Sequence, residues 1–192
     1  MNITLRNGKR MPAIGLGTYK TRGYDKVRDS LAAAFSAGYK LIDTAAVYRN
    51  EEDIARAIKE LGIDRKELFI TSKLAPKDQG TENARRAIEE SLNKLNTDYL
   101  DLYLIHFPIS LAFVPFETRY PPEWFHDPSA PNPKMELVDV PVRETWEAME
   151  KLVDSGKVRH IGVSNFSTQS IRDLVSYARI KPTCLQVIKF QT

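Results

Sequence analysis

Several residue classes are scarce in this 192-residue chain, and each shortage narrows what it can be. Cys184 is the only cysteine, so no intrachain disulfide can form and a reducing compartment suits the chain best. No apolar run approaches the ~18 residues of a membrane span, and the N-terminus lacks a charged-then-apolar signal pattern. No block of like charge stands out and the net charge is only +3, which removes the electrostatic footprint of a nucleic-acid or membrane-surface binder. No metal-ligand cluster is visible, and no nucleophile has an adjacent base. The expectation is a cytoplasmic, soluble protein with a small-molecule partner and no metal. Its length suits one domain, residues 1–192, with a substantial core.

What is present is organised around Leu41 to Lys59, LIDTAAVYRNEEDIARAIK. A short apolar run reaches an acid, Asp43, just where the hydrophobic pattern stops, and Tyr48 follows in a polar turn. Asn50 reads as the cap of a helix whose first turn carries Glu51, Glu52 and Asp53, the charges favoured at that end. Ile54, Ala57, Ile58 and Leu61 recur at helical spacing, and Gly62 marks the stop. This is strand, loop, helix, with a carboxylate and a phenol at the strand's carboxyl end.

The rest of the chain repeats that unit. Ile3 to Leu5, Asn7-Gly8 and Met11 to Ile14 read as a β-hairpin turned at Asn-Gly. Gly15-Leu16-Gly17-Thr18-Tyr19-Lys20 superficially resembles a dinucleotide-binding loop, but it lacks the third glycine and an immediate helix, so it is read as a tight bend. Strands are expected at Leu68–Lys73, Tyr99–His106, Val158–Ser164 and Cys184–Ile188. Helices are expected at Tyr24–Ala37, from Thr81, at Val142–Ser155 and at Thr168–Ala178. Strand–helix units at about thirty-residue spacing, with strands too apolar to face water, imply a parallel sheet. Between an open doubly wound sheet and a (β/α)8 barrel, the barrel is favoured. Successive strand ends carry Asp43, Lys73, His106, then Ser164 and Asn165, which a ring would bring to one mouth.

One stretch breaks the rhythm. Phe107 to Pro141 holds eight of the eleven prolines together with Phe113, Phe116, Tyr120, Trp124 and Phe125. It emerges directly after His106, and its aromatic content suits a wall or lid over the mouth.

Each strand-end residue taken alone has an ordinary structural explanation; together they support a chemistry. A phenol, with a reference pKa near 10, is a poor proton donor at neutral pH. A neighbouring ammonium lowers that value, a carboxylate holds the ammonium, and an imidazole orients a carbonyl oxygen. The electron pair is missing from this set, and a bound hydride carrier would supply it.

IGLGTY, LIDTAAVYRNEEDIARAI, FITSKL, LDLYLIHFP, GKVRHIGVSNF and LQV together resemble the aldo-keto reductase family over nearly the whole chain. FVPFETRYPPEW is most similar to the xylose-reductase-like and aldose-reductase-like members. The resemblance implies a (β/α)8 TIM barrel that binds NADPH without a Rossmann fold and reduces aldehyde, ketone or sugar carbonyls. It implies that Tyr48 is the general acid, tuned by Asp43 and Lys73, and that His106 orients the carbonyl. It also implies cofactor contacts from Gly17, Thr18, Tyr19, Asp43, Ser164, Asn165 and Gln186, with Tyr48, His106, Trp124 and Phe125 lining the substrate pocket.

A complete barrel has eight strands in about 250 residues; about six βα units are legible here. Residues 188–192 also depart from the continuation usual after LQV, so the expectation is a C-terminally truncated barrel with open edges. In the family an aromatic beyond strand seven stacks on the nicotinamide, and basic residues beyond strand eight hold the 2′-phosphate. The alternative reading is therefore an inactive fragment that self-associates or binds partners through those edges. A third, a Schiff-base aldolase using Lys73, is disfavoured by the company of Tyr48 and the absence of a phosphate-binding glycine loop.

Overall fold

The computed structural model describes residues 1–115, 131 and 134–187. Strands β1 (Asn2–Thr4) and β2 (Arg10–Pro12) form the antiparallel hairpin, with Thr4 opposite Arg10. The turn expected at Asn7-Gly8 is present, and its backbone hydrogen bonds set its length. Leu5 N–H donates to Lys9 O at 2.8 Å and Gly8 N–H to Leu5 O at 2.9 Å. Arg6–Asn7–Gly8 is thus a three-residue loop in which Gly8 alone takes a positive φ, 78°.

Six parallel strands follow in unbroken spatial order: β3 (Gly15–Gly17), β4 (Leu41–Asp43), β5 (Phe69–Leu74), β6 (Leu100–Ile105), β7 (Val158–Ser164) and β8 (Leu185–Gln186). Among the described residues one long helix occupies each crossover: α1 (Tyr24–Ser36), α2 (Glu51–Glu60), α3 (Thr81–Leu95), α4 (Val142–Asp154) and α5 (Thr168–Tyr177). The other element boundaries fall within a residue or two of expectation, but Gly15–Gly17, read as a tight bend, is itself a strand, because its backbone pairs in register with Leu41–Asp43; Ile188, expected in the last strand, lies outside the described residues. Among the described residues β3 and β8 are the sheet's unpaired edges. The architecture is the expected incomplete (β/α)8 barrel.

The sheet is strongly curled. Strands β4 and β8 stand four spacings apart, about 19 Å in a flat sheet at ~4.8 Å per strand. Yet Gln186 Nε2, on β8, donates to Asp43 Oδ2, on β4, at 2.8 Å. The strands' carboxyl ends therefore turn toward one another.

Side-chain alternation divides the sheet into two faces. Ile42, Ile70, Tyr103, Ile105, Ile161 and Val163 join Leu31, Ile54, Ile88 and Trp146 from the helices in the main core. On the concave side Leu41, Phe69, Leu102 and Leu104 form a second cluster with Met11 and Cys184 against it. Asp43 is two residues beyond Leu41, Lys73 four beyond Phe69, and His106 two beyond Leu104. The same period that buries those leucines in the barrel interior sends the polar side chains to its upper rim.

Candidate active site

The rim is tied together by Lys73. Its ammonium, 2% exposed at the end of β5, donates to Asp43 Oδ1 at 2.6 Å and to Thr44 O at 2.9 Å. Burial pulls the Lys73 ammonium below its ordinary value, and the charge of Asp43 opposes that pull. Its nitrogen lies 5.2 Å from the centre of the Tyr48 ring. The Tyr48 and His106 rings meet edge to face at 5.9 Å. Four groups expected from three separate strand ends stand side by side.

Tyr48 closes a 3₁₀ turn, Ala46–Tyr48, followed by Arg49 in the left-handed region (φ 60°). Lys20 and Asn165, also in strand-to-helix loops at this rim, have left-handed backbones too (φ 62° and 61°). Such non-glycine conformations cost about 1–3 kcal/mol each and persist where surroundings over-determine them.

One electrostatic expectation is corrected. The phenol of Tyr48 is not lowered by its ammonium neighbour; it is pushed above the ordinary value of 10.0, chiefly by burial and further by Asp43 and Tyr19. Lys73 is already engaged by Asp43, so the phenol keeps its proton. Burial, reinforced by the charge of Lys73, pushes the His106 imidazole down to about 3, which leaves the ring neutral. Its Nδ1 has no hydrogen-bond partner among the described residues. The arrangement holds one protonated phenol, one uncharged imidazole and one compensated cation. That set can give a proton to an oxygen gaining negative charge and can hydrogen-bond that oxygen.

Residues from the neighbouring strands complete the rim. Thr18, 2% exposed, donates from both N–H (3.0 Å) and Oγ1 (3.1 Å) to Asp43 O. Tyr19 is 65% exposed, with its ring 5.1 Å from that of Tyr48. Asn165 Nδ2 donates to His106 O at 2.9 Å and to Ser164 Oγ at 3.1 Å. Trp124 and Phe125, expected to line the pocket, lie outside the described residues.

These groups suit a nicotinamide cofactor. The amide oxygens of Asn165 and Gln186 accept no hydrogen bond among the described residues, and with Ser164 they offer the mixed donors and acceptors a primary carboxamide requires. Gly17 pairs in register with Asp43, and a Cβ built there meets nothing within 4 Å, so the floor beside Asp43 is open.

Three residues take structural roles that the sequence did not disclose. Asn50, read as a helix cap, makes no capping bond with its side chain. Instead Nδ2 donates to Thr18 O (2.9 Å) and Thr21 O (3.0 Å), and Oδ1 accepts from Thr44 Oγ1 (3.0 Å). Glu51, read as a first-turn acid, is 3% exposed and accepts from Ser72 and Ser91. Gln79 roots the proline-rich segment: Nε2 donates to Phe107 O (2.8 Å) and Ile109 O (2.6 Å), while Oε1 accepts from Ser110 (3.0 Å). That segment's two ends meet in a Leu111–Leu137 bridge, and Phe107 stacks on His106 at 4.9 Å. Only the adjacency of Asn50 and Glu51 to the Tyr48 turn could have drawn attention to them.

A curled parallel α/β sheet with its titratable groups gathered at the strands' carboxyl ends defines a barrel protein whose candidate site is the mouth. The chain belongs to the aldo/keto reductase family, whose model matches residues 13–189. It is 47% identical over 188 residues to the NAD(P)H-dependent D-xylose reductase of Pachysolen tannophilus, covering 96% of this chain and 57% of that protein. It is 42% identical over 193 residues to the NADPH-dependent D-xylose reductase of Meyerozyma guilliermondii, covering 97% and 59%. Among solved structures, the aldose reductase of Schistosoma japonicum superposes with a TM-score of 0.86 at 38% identity, over 98% of this chain and 61% of that one. The chain thus spans somewhat under two thirds of the length of these relatives. Among the described residues no helix is long and apolar enough to cross a membrane.

Proposed function

We propose that residues 1–192 form one aldo/keto reductase domain carrying the catalytic centre of an NADPH-dependent carbonyl reductase, acting on aldehydes, ketones or the open-chain carbonyl of aldose sugars. The observation that carries this reading is the Lys73–Asp43 contact of 2.6 Å set beside a half-buried, protonated Tyr48. The names of the relatives in Pachysolen and Meyerozyma support the cofactor and the sugar substrate class.

When bound, a reduced nicotinamide supplies the hydride. Ser164, Asn165 and Gln186 would hold its carboxamide, with Gly17, Thr18, Tyr19 and Asp43 along the same rim. The remaining work falls to the chain. His106, uncharged, hydrogen-bonds the carbonyl oxygen without competing for its proton. Tyr48 gives its phenolic proton to that oxygen as negative charge develops there. Even a raised phenol is a stronger acid than the aliphatic alcohol it forms, so the proton passes readily to the developing alkoxide. Lys73, with its excess charge tempered by Asp43, then stabilises the phenolate. Phe107, stacked on His106, would wall the substrate side together with Trp124 and Phe125.

The test is a titration of the full chain with NADPH, followed by protein fluorescence, and then turnover of a generic aldehyde. The reading expects saturable binding and turnover that Tyr48→Phe abolishes while binding persists. Turnover unchanged in Tyr48→Phe would remove the phenol from the mechanism.

A second reading has its own observation. The β3 and β8 edges are unpaired among the described residues, and Ile14, Leu185 and Val187 nearby are exposed. These favour self-association or pairing with another chain, without turnover. Light scattering separates the readings: a folded monomer that turns over aldehyde excludes this one.

A further inference from the structure

The Tyr48 loop is held by a closed ring of hydrogen bonds, and Asn50 is the member that joins two loops. Asp43 O accepts from Thr18 N–H and Oγ1. Thr18 O accepts from Asn50 Nδ2 at 2.9 Å. Asn50 Oδ1 accepts from Thr44 Oγ1 at 3.0 Å. Thr44 O accepts from Lys73 Nζ at 2.9 Å, and the same ammonium returns to Asp43 at 2.6 Å. Asn50 adds a bond outside the ring, to Thr21 O at 3.0 Å. Every member is on or beside a residue assigned to the rim, and Tyr48 rides on the short loop between Thr44 and Asn50.

The chemistry of Asn50 is hard to replace. It is 2% exposed and presents two donors to two backbone carbonyls while accepting from a hydroxyl. Its orientation is dictated by those partners, because the reversed amide would set an oxygen against two carbonyl oxygens. Asp, the same shape, would do that permanently. Thr44 is itself fully buried, so its hydroxyl has no water to turn to.

Building on the reductase reading, we infer that Asn50 is a positioning residue. It fastens the loop after β3, which carries Thr18 and Tyr19, to the loop after β4, which carries Tyr48, so that the proton donor is registered to the cofactor side of the rim. It touches neither substrate nor cofactor. Its effect is to deny Tyr48 the freedom of a short loop whose left-handed Arg49 is already under backbone strain.

The experiment compares the full-length wild type with Asn50→Asp and Asn50→Ala, each first checked by circular dichroism for a folded chain. The inference expects Asn50→Asp to lower kcat by about 100-fold, the scale of a 1 Å misplacement, while KM for aldehyde changes less than about threefold. Thr21→Ala, which leaves the Thr21 backbone carbonyl in place, should leave kcat near wild type. A folded Asn50→Asp with wild-type kcat would overturn it.

Hydrogen exchange provides an arm independent of turnover. Residues 17–22 and 44–49 should lose protection together in both Asn50 variants, while β6 and α3 keep theirs. If neither loop loosens, the clip is refuted even in a chain that proves inactive. If both loosen and the wild type shows no turnover, the clip stands and the reductase reading fails. If Asn50→Asp cannot be obtained folded, Asn50→Ala carries both readouts.

Discussion

The carboxylate of Glu51 and the hydroxyl of Ser72 meet at 2.7 Å inside the core, one turn of chain away from Tyr48. Ser91 donates to the other oxygen at 3.2 Å. Two hydroxyls do not replace bulk hydration, and burial pushes the acid up to about 7, against its ordinary 4.5. A carboxyl whose folded value is raised binds its proton more tightly in the folded state. Its contribution to stability is therefore complete below about 4.5 and is lost as pH rises through about 7. A shift of that size corresponds to roughly 3 kcal/mol. Glu51→Gln should flatten the dependence, stabilising the chain at pH 8 relative to wild type and doing little at pH 5. Thermal unfolding at both pH values checks this; parallel curves for the two proteins would show that Glu51 does not titrate in that range.

His106 behaves in the opposite sense. With its imidazole pushed down to about 3 from 6.5, the neutral form is the one the fold selects. The resulting stability is fully present above about 6.5 and is lost as pH falls through about 3. Nitrogen NMR of histidine-labelled protein should find one imidazole that fails to titrate between pH 5 and 8, and it should vanish in His106→Gln. A His106 signal moving near pH 6.5 would contradict the burial argument.

Gly162 is required by contact, not by backbone angle. A Cβ there would stand 2.6 Å from Cys184 O and 2.8 Å from Leu104 Cδ2. The carbonyl belongs to the segment entering β8 and accepts from Val163 N–H at 3.0 Å, so it cannot simply retreat. Gly162→Ala should cost on the order of 1–3 kcal/mol and displace β8, taking Gln186 away from Asp43. Denaturant unfolding measures the first effect, and weakened NADPH binding reports the second.

The Lys73–Asp43 pair should show strong coupling. Lys73→Met leaves a carboxylate of 18% exposure without its cation, a loss on the order of 3 kcal/mol. Adding Asp43→Asn removes the stranded charge, so the double variant should be more stable than Lys73→Met alone. Turnover should return in neither. A double-mutant cycle on unfolding free energies tests the pair; additive losses would deny the interaction.

Local patterns carried much of this protein. The alternation of Leu41 with Asp43, and of Phe69 with Lys73, already contains both the apolar barrel lining and the polar rim, because strand period is a property of a few consecutive residues. The helical spacing of Ile54, Ala57 and Ile58, repeated between strands, contains the crossovers and hence the parallel sheet. The strand-end positions of Asp43, Lys73 and His106 were legible for the same reason.

Other features belong to the tertiary structure alone. Asn50 and Glu51 carry the local signal of a helix start, and nothing within several residues reveals that one reaches Thr18 and the other Ser72 and Ser91. The hairpin's Asn-Gly was legible as a turn but its loop length was not, since the register of Thr4 against Arg10 decides where the loop closes. The state of Tyr48 could not be foreseen either. From the sequence an ammonium held by a carboxylate would acidify it; in the fold the lost water dominates. Ionisation and hydrogen-bond partners depend on which distant atoms converge and how much solvent they exclude. That information exists only once the sheet has curled far enough to set Gln186 against Asp43.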